Sequence, residues 1–223
     1  MGIDTSTKHR SIALIESGNL VFEYDDYVAK NHSSSLVPSL QRLFEESDID
    51  LSHVETIAVT IGPGMFTSLR VGVATAKGLS LAIGRSVMGI STLDAIAWNV
   101  PFSQYPVCTL MDARKHEVFA ALYRYTDNNF VKVERERVIK PEVLLEDMKE
   151  KTVFIGDGAE KYKDLIVAWL GENAQFVPCH LNRPRASHVA FLAYVSLAEG
   201  LTSYHADSCL MYLRASDAEL KCG

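Results

Sequence analysis

Asp4-Thr5-Ser6-Thr7 puts one carboxylate and three hydroxyls in four consecutive positions near the start of the chain. The chemistry open to such a run is phosphate binding, with hydroxyls and backbone N–H groups holding oxygens while a carboxylate sits near magnesium; Asp112 is a second carboxylate for that role. Both have plainer readings, Asp4 as a turn cap and Asp112 as a strand-end residue orienting Arg114. Metal chemistry has less to work with. The histidines are 9, 32, 53, 116, 180, 188 and 205, no two of them four apart, so none pair on one helical face as H-x-x-x-H or H-E-x-x-H requires. Cys108, Cys179, Cys209 and Cys222 form no C-x-x-C pair, and no G-x-S-x-G supports a Ser-His-Asp triad.

A longer stretch, Gly62-Pro63-Gly64 through Gly78, is a loop running into a helix and therefore a candidate anion site through its free N–H groups. Neither known template fits it: G-x-G-x-x-G fails at Thr67, and the P-loop fails at Lys77, which no glycine precedes. Its helix carries Ser68, Gly72, Ala76, Ser80 and Gly84 at every fourth position, with Ala74, Gly78 and Ala82 in a second row beside them. A glycine inside a helix costs about 1 kcal/mol relative to alanine, so two of them call for compensation. Small ridges that let a second helix approach closely supply it, and that reading is preferred to phosphate binding.

The elements that position these residues follow from pattern. Residues 2–5 read as a strand, and Ile12–Ile15 and Leu20–Phe22 as a hairpin around Ser17-Gly18-Asn19. Leu36, Val37, Leu40, Leu43 and Phe44 keep helical spacing, with serines 33–35 available as N-caps. Thr56–Ile61 reads as a strand, Phe66–Ile83 as a helix, and Ser91 with Asp94 as the capping box of a short helix before Pro101. Beyond 102, strands are expected at Val107–Met111, Glu117–Tyr125, Phe130–Ile139 and Thr152–Ile155. Helices are expected at Pro141–Lys149, Ala159–Leu170 and 187–200. This is an α/β chain of two lobes, 1–101 and 102–223, with the apolar helix at 187–200 packing between them.

Composition narrows the function. At 223 residues the chain buries roughly 70% of its unfolded surface, and 48% hydrophobic with 22% charged residues is ordinary for a globular domain. No apolar run reaches the roughly 18 residues of a membrane span, and the N-terminus lacks the pattern of a signal peptide, so a cytoplasmic, membrane-free protein is expected. Met1, Gly2 and Ser6 match a myristoylation pattern, but no polybasic second signal accompanies it. A net charge of -6 disfavours autonomous nucleic-acid binding. Arg114-Lys115-His116 and the segment from His180 to Arg185 are locally basic and read as solvated loops.

Asp4-Thr5-Ser6-Thr7, Asn31-His32-Ser33 before Leu36-Val37-Pro38, the Gly62 to Gly78 block, Met111 to Val118 and Tyr212-Leu213-Arg214 occur in the order in which the TsaB (YeaZ) family has them, and the chain resembles that family over nearly its whole length. Met65 and Ser68 stand where that family usually has Ser and Gly, and several residues of the first strand are missing. The resemblance implies an actin-like, sugar-kinase-like (ASKHA) fold. It also implies a non-catalytic subunit of the bacterial machinery that makes threonylcarbamoyladenosine in tRNA, paired with the catalytic TsaD and joined by the ATPase TsaE. The absence of a metal-binding histidine pair agrees with that role. Leu36, Leu40, Leu43, Phe66, Leu69, Gly72, Val73, Ala76 and Ser80 are then the expected partner interface, which a homodimer covers when the chain is alone. Asp4, Thr5, Ser6 and Thr7 are the candidate nucleotide residues. No cofactor is expected to be required by this chain, ATP or ADP belongs at the partner interface, and tRNA is met only through the complex. The competing readings are an ASKHA ATPase or phosphotransferase active on its own and, further back, a metallopeptidase.

Overall fold

The computed structural model describes residues 1–28, 35–127, 129–200 and 210–211. Two compact units divide it, Met1–Ala95 with Pro184–Tyr212, and Ile96–Arg183. The first is built on a five-stranded sheet of β1 (Gly2–Asp4), β2 (His9–Glu16), β3 (Asn19–Tyr27), β4 (Thr56–Gly62) and β5 (Ser86–Ser91), in the order β3-β2-β1-β4-β5. β1, β2 and β3 run antiparallel to their neighbours, as a tight turn at Ser17 and Gly18 demands, whereas β1, β4 and β5 are parallel.

Alternation decides what each face of this sheet meets. Ile3, Ile12, Leu14, Ile57 and Val59 point to one side, where α1 (Leu36–Ser47) and α2 (Phe66–Ile83) close the core with Leu36, Leu40, Leu43 and Ala76. The opposite side takes α7 (Ala186–Ala198), whose Val189 and Ala193 pack on Ala58, Met88 and Ile90. Contact there is so close that a Cβ on Gly2 would lie 2.1 Å from the Ala186 carbonyl oxygen. The start of α7 is tied to the hairpin: Ser11 Oγ accepts from Ala186 N at 2.9 Å, and Glu23 accepts from Ser187 N and from Arg185. Burial would raise the Glu23 carboxyl, but these hydrogen bonds prevail and hold it below the usual range.

The second unit repeats the plan. β6 (Val107–Arg114), β7 (Glu117–Thr126), β8 (Asn129–Ile139), β9 (Thr152–Ile155) and β10 (Ala174–Phe176) lie in the order β10-β9-β6-β7-β8, again with three antiparallel strands followed by two parallel additions. Leu144 and Leu145 of α4 (Pro141–Glu146), Ala159 of α5 (Asp157–Lys161) and Ile166 of α6 (Lys163–Leu170) cover Cys108, Leu110, Val118 and Phe154. A short helix, α3 (Thr92–Ala97), stands where the first unit gives way to the second.

Most expected elements are present, and α2 has the bounds the pattern drew. Four features differ. β5 and β10 are strands the sequence reading omitted, and the expected helix at 159–170 is two helices broken at Tyr162. The division also falls elsewhere than at 101. The chain leaves the first unit after Ala95 and rejoins it at Pro184, because the apolar side of α7 has its matching surface on the first sheet. The 187–200 helix is thus a layer of the first unit by its packing.

Candidate functional site

The turn after β1 and the glycine-led start of α2 form one seam. Asp4 ends β1 with no exposed surface, and its Oδ1 accepts three hydrogen bonds, from Ser6 Oγ at 2.7 Å, Thr60 Oγ1 at 2.8 Å and Ser6 N at 3.2 Å. Its other oxygen, Oδ2, is buried without a partner. Removal from water therefore outweighs the three donors, and the carboxyl is pushed up to about 6. Thr5 Oγ1 donates to the Ser68 carbonyl at 2.8 Å, and Met65 N donates to the Ser6 carbonyl at 2.8 Å. Thr7, half-buried, accepts from His9 N at 3.1 Å.

Glycines make this approach possible. A Cβ on Gly64 would lie 2.5 Å from the Ser6 carbonyl oxygen, and one on Gly72 would lie 2.4 Å from Thr5 Oγ1. Compensation for Gly72 is thus the seating of the β1–β2 turn against the helix, within the unit, and not the approach of another helix. Asp4, Thr5 and Ser6 are buried, and the Thr5 and Ser6 hydroxyls and the Ser6 N–H are engaged internally, with Thr7 the half-buried member of the run.

The expected partner surface needs the same correction. Leu36, Leu40, Leu43, Leu69, Gly72 and Ala76 are buried in the first unit, and Phe66, Val73 and Ser80 are only half-buried. The row at Ser68, Gly72 and Ala76 faces the chain's own sheet, so Gly72→Leu or Ala76→Trp would strike the core. The second row is the exposed one: Ala74, Gly78 and Ala82 lie on the outer side of α2 with Leu81, which is 85% exposed, and Arg70, whose guanidinium lies 3.8 Å from the Phe66 ring centroid. A Cβ on Gly78 would meet nothing within 4 Å. Its helical cost has no compensation inside the described chain.

In the second unit Asp112 is engaged otherwise than as a magnesium ligand. Lys161 Nζ lies 2.8 Å from both of its carboxylate oxygens, and Arg114 N donates to Oδ1 at 3.0 Å. Orientation of the Arg114 turn, the plainer reading, is what the geometry displays. Among the described residues no group of three or more His, Cys, Asp or Glu is arranged to hold a metal ion. His32, Ser33 and Ser34 lie outside the described residues, as do Cys209, Tyr212, Leu213, Arg214 and Cys222.

Two units with one repeated five-stranded topology place the chain in the ASKHA-like α/β class. A family model described as "TsaD: tRNA N6-adenosine threonylcarbamoyltransferase" matches residues 26–222. The Bacillus subtilis "tRNA threonylcarbamoyladenosine biosynthesis protein TsaB" is 30% identical over 99% of this chain and 96% of its own length. The Escherichia coli protein of the same name is 31% identical over 74% of each. Among solved structures, "YeaZ from Pseudomonas aeruginosa" superposes with a TM-score of 0.79 at 27% identity, covering 93% of this chain and 95% of that one. The chain belongs to the TsaB (YeaZ) family.

Proposed function

We propose that this chain is a non-catalytic subunit of the machinery that makes N6-threonylcarbamoyladenosine in tRNA, and that it acts by holding a TsaD-type transferase. The names carried by its relatives support the pathway. The role of holder rests on one observation, the outward row of Ala74, Gly78 and Ala82 beside a Leu81 side chain that is 85% exposed. A helix surface that small admits another backbone closely, and close packing of a partner there would offset the helical cost of Gly78. In this reading the same face pairs with a second copy when the chain is alone, a TsaE-type ATPase joins the heterodimer, and tRNA is met through the complex. Work in the cytoplasm fits the pathway, and no described helix is long and apolar enough to cross a membrane.

The non-catalytic assignment is supported by the internal engagement of Asp4, Thr5, Ser6 and Asp112. Any ATP or ADP therefore belongs at the joint with the partner. Ala74→Trp is the test, because it changes an exposed side chain and leaves the core alone. Sedimentation of the isolated variant should give monomers where the unaltered chain gives dimers, and co-purification with the transferase should fail. Intact pairing of both kinds would refute this placement of the interface.

A further inference from the structure

We draw no further inference here: the strongest candidate, the apolar surface patch of the second unit where Phe102, 77% exposed, meets Tyr125 edge to face with ring centroids 5.3 Å apart, carries none, because nothing in the described residues shows what covers it.

Discussion

Alanine placed at Gly72 and at Gly78 should move stability in opposite directions, although both sit inside one helix. At Gly78 a Cβ enters open space, so the isolated chain gains the full helical preference, about 1 kcal/mol, which raises Tm by about 2–4 °C for a chain of this size. At Gly72 the same methyl arrives 2.4 Å from Thr5 Oγ1, which is buried and donates to the Ser68 carbonyl. Relief needs a shift of about 1 Å in the turn or the helix, and overpacking of that kind costs about 1–3 kcal/mol. Loss of the buried hydrogen bond costs about as much again, so the net destabilisation should be about 3 kcal/mol after the propensity gain. Urea unfolding followed by circular dichroism, at a protein concentration low enough to keep the chain monomeric, measures both. A stabilised Gly72→Ala, or a Gly78→Ala destabilised by more than 1 kcal/mol, would refute the assignment of the inner and outer rows.

Asp4→Asn should flatten the pH dependence of stability. Because the folded carboxyl is raised from 3.8 to about 6, the fold favours its protonated form; this stabilisation is complete below pH 4 and is lost as pH rises through 6, at a cost of up to about 3 kcal/mol near neutrality. The difference in unfolding free energy between the parent and Asp4→Asn should therefore grow between pH 5 and 7.5 in favour of Asn, and a constant difference would contradict it. Cys108 is buried and its thiol is pushed far up by desolvation, whereas Cys179 is exposed. Alkylation followed by peptide mass spectrometry should label Cys179 within minutes and Cys108 only after denaturation.

The hairpin and the bounds of α2 were legible because turn chemistry and local spacing act within a few residues. β5 was not, since Ser86–Ser91 is short and Gly89 interrupts it; the strand exists because β4 offers a parallel edge, with Gly89 leaving room for Ile61. The two small-residue rows of α2 were visible from period alone, yet which row faces inward depends on the β1–β2 turn meeting Gly72, a contact across 67 positions. Asp4 posed the same difficulty. A carboxylate beside three hydroxyls looks like a phosphate loop until Thr60 and Ser68, both distant in sequence, are found to engage it and Thr5. The return of the chain at Pro184 was hidden because an apolar helix does not say which sheet it covers.

Whether this chain positions or catalyses is read out by the amount of threonylcarbamoyladenosine formed per tRNA. The reconstituted mixture holds the transferase, the ATPase, the adenylate-forming enzyme, threonine, bicarbonate and ATP. Omission of the chain, or its replacement by Ala74→Trp, should abolish or greatly reduce the product. Asp4→Asn and Asp112→Asn should each leave it within a few-fold of the parent, since loss of a true general base or metal ligand costs ~100-fold or more. A fully assembled complex made inactive by either Asn variant would place catalysis in this chain and contradict the account.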